Sequence, residues 1–222
     1  MAGGLSITAL CAFIGAVVTA VTVYNIARVG SKVPSTSLLL SGVAISFLLS
    51  SMISLIMIFR REHVERIVMW TMGSVSTASW NQVLVLLPVV IVSTIILYFL
   101  ARDLNVFLLG EDNAKTMGIE VGKLKKHILF ICTLQVAVAV SVRGIIGFVG
   151  IIVPHAVRII TGSDNRIVIP FSALGGAIFL VICDTIARSI VPPVEIPVGI
   201  VTSIFGVPFF MYLLYKTKKK VL

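Results

Sequence analysis

The chain has 222 residues, of which 58% are hydrophobic and 12% charged, with a formal net charge of +9 and a mean hydropathy of +1.12. That balance excludes a water-soluble domain, in which about 25% of residues are charged, and it excludes a disordered chain. The positive charge suggests nucleic acid only in a soluble protein; here it falls in loops between apolar segments, so no nucleic-acid partner is expected.

A bilayer crossing needs about 20 apolar residues, with about 17–25 tolerated. The first span is expected over 5–27; it lacks a basic leader and a cleavage site, so it does not read as a signal peptide. The second, over 38–59, follows V-P-S-T-S, whose three hydroxyls read as an N-cap signal. Segment 67–101 is too long for one span. Residues 80–101 form the third, and the stretch before it, with Trp70 and Trp80, reads as an interfacial piece carrying aromatic anchors.

Residues 103–127 form the longest connection, far beyond the usual length of about 4–6, yet their composition is not that of disorder. Val106, Phe107, Leu109, Ala114 and Met117 are available for packing, and Glu111 and Lys115 stand at i,i+4. Gly118 reads as a helix stop with a second short piece after it. Two small helices at the membrane surface are expected, serving as an interfacial anchor or as a docking face.

The fourth and fifth spans, 127–142 and 146–161, are short. The charge-free segment 128–142 in the fourth has fifteen residues, which rise about 22 Å as a helix. The hydrocarbon core is about 30 Å thick, so an irregular hairpin surrounded by protein is expected. It contains G-I-I-G-F-V-G-I-I-V-P-H-A-V-R at 144–158. Gly144, Gly147 and Gly150 would share one side of a helix and admit a close neighbour. Pro154 would kink or break it, and His155 and Arg158 must face protein, water or the interface. The sixth span, 167–188, ends with Asp184 and Arg188 one turn apart, placed to pair. Prolines hold an extended loop before the seventh, 196–215, with Pro197 in its first turn and Glu195 near its positive end.

With the first span entering from outside, thirteen of the eighteen Lys and Arg residues fall on the cytoplasmic side, leaving Arg60, Arg61, Arg66, Arg143 and Arg188 outside. The positive-inside rule therefore predicts a multi-pass protein of the plasma (cytoplasmic) membrane with a cytoplasmic C-terminus. Cys11, Cys132 and Cys183 lie in apolar segments without a CxxC pattern and read as small hydrophobes. The chain has no HExxH, Gly-x-Ser-x-Gly or phosphate-binding loop, so it is not expected to be an enzyme. Asp184, Arg188 and His155 invite a proton-relay reading, but no further ionisable residues continue such a chain.

The segments S-T-S-L-L-L-S-G-V-A (35–44), L-G-E-D-N-A-K-T-M-G (109–118), 144–158, C-D-T-I-A-R (183–188) and E-I-P-V-G-I-V-T-S-I-F-G-V-P-F-F (195–210) occur in one order along the chain. In this they closely resemble the permease subunits of ABC importers for iron–siderophore complexes, haem and vitamin B12. The resemblance covers essentially the whole chain. It implies an all-α polytopic fold: a single transmembrane permease domain over 1–222, with about seven helices corresponding to helices 4–10 of a ten-helix subunit. A partial sequence, a late start and a degenerate subunit remain open.

The resemblance further implies ABC ATPase subunits, a second permease copy or homologue and an external substrate-binding protein as partners within the lipid bilayer. ATP and Mg would be bound by the ATPase; no cofactor or metal is expected on this chain. Ser35 and Thr36 would form the cytoplasmic gate. Leu109, Gly110, Glu111, Ala114, Met117 and Gly118 would form the ATPase-coupling loop within 103–127, and Arg188 would dock the binding protein. Gly144, Gly147, Gly150, Pro154, His155 and Arg158 would form the helix-packing signature. Arg143, where the family generally has a small uncharged residue, would be an extra docking charge or a subunit-specific contact. Alternatives from other classes are an ion-driven secondary transporter, a membrane-embedded enzyme and a non-transporting structural subunit.

Overall fold

The computed structural model describes residues 7–30, 33–76, 78–190 and 195–218, the side chains of 214 and 216–218 excepted. Lys32, Pro192, Pro193, Lys219 and Lys220, used above for charge and loop arguments, lie outside the described residues. The chain forms α1 (Ile7–Ala27), α2 (Ser35–Phe59), a 3-10 turn (Arg61–His63), α3 (Val64–Met72), α4 (Trp80–Phe99), α5 (Ala101–Phe107) and α6 (Glu111–Thr116). There follow α7 (Val121–Arg143), α8 (Val149–Thr161), α9 (Asn165–Ser189) and α10 (Val198–Lys218).

The fold is all-helical, and each of the seven expected spans coincides with a helix. α1, α2, α4, α7 and α9 are long and apolar enough to cross a bilayer, and α8 and α10 are apolar as well. α2 is apolar on every side and buries no residue; Leu39 and Phe47 are 73% and 71% exposed. Such a helix is at home only where the solvent is itself apolar.

Packing relies on small side chains. Cys183, Ala187, Val198 and Val201 form the buried cluster where α9 meets α10, an arrangement that lets backbones approach where lipid supplies no hydrophobic drive. Buried hydroxyls bond back to their own helix: Ser141 donates to the Val138 carbonyl at 2.9 Å and Thr202 to Gly199 at 3.1 Å. α1 packs on α2 and α7, α4 on α7 and α9, and α8 and α10 on α9.

Contacts sort the connections to two ends. At one, the Lys125 ammonium reaches the Val33 carbonyl at 3.3 Å and Asn105 reaches Asp164 at 2.6 Å. At the other, Ser74 N–H donates to the Arg143 carbonyl at 3.1 Å and Ile196 N–H to Ala187 at 3.4 Å.

Several expectations are corrected. α7 is a regular helix of 23 residues, about 34 Å long, because it begins at Val121 rather than near 127. Its Lys123, Lys125, Lys126 and His127 form the first turns of the helix, where long side chains reach polar surroundings, rather than the end of a loop. The expected short piece after Gly118 is therefore the start of α7. Both small helices precede Gly118 and are separated by Leu108–Gly110.

Gly144, Gly147 and Gly150 do not share a helix face. Gly144 (φ 73°) ends α7, Gly147 lies in the connection, and only Gly150 is in α8. Pro154 sits inside α8, which continues to Thr161 without a break. The N-cap of α2 is Pro34, with Ser35 and Thr36 already in the first turn and no side-chain cap. Pro197 immediately precedes α10 rather than opening it.

Candidate functional site

The loop side of the bundle carries a platform of two short helices. Gly110 (φ 107°) turns the chain between α5 and α6, a conformation that costs little without a Cβ. Glu111 and Asp112 occupy the first turn of α6 and Lys115 its last, each at the end the helix dipole favours. The expected Glu111–Lys115 pair is not formed. Lys115 bonds Asp112 at 2.9 Å, which raises the ammonium's pKa, and Glu111 is instead taken by Lys125 of α7. Ala114 is fully buried beneath α6, while Leu108, Leu109 and Met117 face outward at 54%, 62% and 62% exposure. Gly118 (φ 83°) closes the platform, its N–H on the Lys115 carbonyl at 3.0 Å.

A second group ties the platform to the transmembrane helices, and it was not singled out from the sequence. Asn105 of α5 donates to Asp164, and its own side-chain oxygen accepts both the backbone and the side-chain N–H of Asn165, each at 2.8 Å. The side-chain oxygen of Asn165, a residue only 5% exposed, accepts from Arg158 at 2.8 Å. Arg158, from the 144–158 signature, thus secures the α8–α9 corner, also donating to the Ser163 carbonyl at 3.3 Å. Asp164 caps α9 by accepting the Arg166 N–H. That bond first, and Asn105 second, hold the Asp164 carboxyl below its ordinary pKa. The D-N dipeptide before an apolar run was the available signal.

Ser35 and Thr36 are exposed at the entrance of α2. On the helix beyond them, Leu38, Leu39, Gly42, Val43, Ser46, Phe47 and Ser50 line a shallow depression. His155 is exposed on α8. At the opposite end, Arg188 donates to Asp184 at 2.8 Å, the pairing expected from their spacing, and remains 42% exposed. Arg143 does not project as a free docking charge: its Nη2 donates to Gln82 of α4 at 2.8 Å. Gln82 also accepts the Ser79 N–H that caps α4, so it joins three segments. Among the described residues, no group of three or more His, Cys, Asp or Glu is placed to hold a metal ion.

A bundle of long apolar helices with an ordered two-helix platform strapped to one end has the architecture of a multi-pass membrane protein. The chain belongs to the FecCD transport family, which it matches over residues 2–216. It is 44% identical over 203 residues to the cobalamin import system permease protein BtuC of Halobacterium salinarum, covering 91% of this chain and 54% of that protein. It is 34% identical over 210 residues to the hemin transport system permease protein HmuU of Yersinia pestis, covering 94% of this chain and 63% of that protein. A solved structure, described as an inward-facing conformation of a metal-chelate type ABC transporter, superposes with a TM-score of 0.80 at 29% identity. That match covers 96% of this chain and 74% of the other. The chain thus spans less than two thirds of the length of these two curated relatives.

Proposed function

We propose that this chain forms the transmembrane permease part of an ATP-driven importer, moving an iron–siderophore, haem or cobalamin-type complex into the cytoplasm. Membership of the FecCD transport family and the cobalamin and hemin relatives support the substrate class. The observation that carries the ATPase assignment is the platform itself. α5 and α6 are strapped to α9 through Asn105 and to α7 through Lys125, yet they present Leu109 and Met117 outward. An ordered apolar face outside the long apolar helices suits a protein partner, and burial in the membrane interface is the alternative that the capture experiment separates from it. ATP and Mg belong to that ATPase, whose closure would press on α5–α6 and shift the helices around Ser35 and Thr36 between two states of access. Arg188, at the far end, would meet an acidic residue of the substrate-binding protein by exchanging its bond to Asp184.

The test is capture of a co-expressed ABC ATPase subunit by the detergent-solubilised chain. Met117→Asp and Leu109→Asp place a carboxylate on the outward face without touching the strap, and each is expected to lower capture about tenfold. Glu111→Arg is the less clean variant, because it also removes the Lys125 partner. Capture by the wild type that both Asp variants retain, or no capture by the wild type, overturns the assignment.

A further inference from the structure

We propose that Lys125 is a positioning residue linking the α5–α6 platform to the entrance of α2. The proposal deepens the permease reading and rests on it for the roles of the two ends it joins.

Three lysines open α7, and they differ in what they reach. Lys123 is 71% exposed and pairs with Glu120, its own helix cap, at 2.8 Å. Lys126 is exposed and makes no ion pair or hydrogen bond among the described residues. Lys125 has a side chain only 19% exposed, and its ammonium meets three separate segments. It bonds the Glu111 carboxylate of α6, donates to the Val33 carbonyl at 3.3 Å, and lies 5.6 Å from the centre of the Phe107 ring of α5. A largely buried ammonium is held only where acceptors replace its hydration, so the three contacts fix its position jointly.

Val33 has a lever. It precedes Pro34, which caps α2 with φ −62° and ψ 137° and accepts the Leu38 N–H at 3.0 Å. The proline ring fixes φ, so a displacement of the Val33 carbonyl is carried into the first turn of α2, where Ser35 and Thr36 stand. Movement of Glu111 therefore reaches Thr36 through one side chain, with no need for motion along α7.

The experiment reads the reactivity of a Thr36→Cys thiol toward a water-soluble maleimide in detergent micelles, with the chain lacking that substitution as background for the native cysteines. Glu111→Gln and Lys125→Met are each expected to change the labelling rate roughly three- to fivefold. The double variant should change it no further than either alone, since both cut the same link. Lys125→Arg, which keeps the charge, should bring the rate back toward the parent. Additive effects, an unchanged rate in Glu111→Gln, or failure of Lys125→Arg to restore the rate each overturn the link. Glu111 is a half-exposed surface residue, so that variant tests the link even if Lys125→Met fails to fold. ATPase capture is scored separately: its absence in the wild type sinks the importer reading and leaves the thiol rates to decide the link.

Discussion

Whether α3 can reach α7 and α10 depends on the absence of single methyl groups. A Cβ on Gly144 would collide with the Trp70 carbonyl oxygen, and one on Gly199 with the Met72 carbonyl oxygen. Around Gly147 and Gly150 there is open space. Gly144→Ala adds strain from its positive φ to that collision, and Gly199→Ala meets backbone that no rotamer change can move. Each is expected to destabilise the chain by about 2 kcal/mol, seen as a lowered thermal midpoint in detergent. Gly147→Ala and Gly150→Ala should stay within about 0.5 kcal/mol of the parent. Equal effects at all four would restore the shared-face expectation drawn from their three-residue spacing. That expectation failed because spacing presumes a continuous helix, and the chain at Gly144 leaves the helical region.

At the scale of elements, the long spans were legible because a bilayer leaves few alternatives to a long apolar helix. The start of α7 was not, because Lys123, Lys125, Lys126 and His127 look like loop residues until each is given a polar direction to point. The platform was legible only in part. Gly118 was expected as a stop, but the second short piece was expected after it, where α7 begins. Local i,i+4 spacing favoured Lys115 for Glu111, while the fold brought Lys125 across from α7. The Asn105–Asp164–Asn165 strap joins α5 to α9 across about 60 positions of sequence, a pairing no local pattern contains.

Its pH behaviour follows from the lowered pKa of Asp164. A carboxyl held below its ordinary pKa contributes stability that is fully present above that ordinary value and is lost as pH falls through its folded pKa. The thermal midpoint should therefore show an acid-limb loss below about pH 4 that is smaller in Asp164→Asn, which can still cap α9. Between about pH 5 and 8 the two should run parallel. Identical acid limbs would mean that the carboxylate does not hold this junction.

For the molecule as a whole, the two ends of the bundle differ in charge and in construction. Arg28, Arg102, Lys115, Lys123, Lys125, Lys126, Arg158 and Arg166 gather with the platform, while Arg60, Arg61, Arg66, Arg143 and Arg188 lie at the other end. Ion pairs occur at both ends. At the platform, Lys115, Lys123 and Lys125 pair with Asp112, Glu120 and Glu111, and the second set is held differently. Arg60 stands 3.8 Å from Glu62, Arg188 is bonded to Asp184, and Arg143 is turned inward onto Gln82. Basic residues close to span ends resist translocation, so the platform end should face the cytoplasm, which is also the only side where an ATPase could reach it. Single-cysteine labelling in right-side-out vesicles checks this. A membrane-impermeant maleimide should modify Ser76→Cys, in the connection before α4, and should reach Lys115→Cys on α6 only after the vesicles are opened. The reverse pattern would put the platform outside, where no ATP-driven partner could engage it, and would remove the basis for reading α5–α6 as the coupling element.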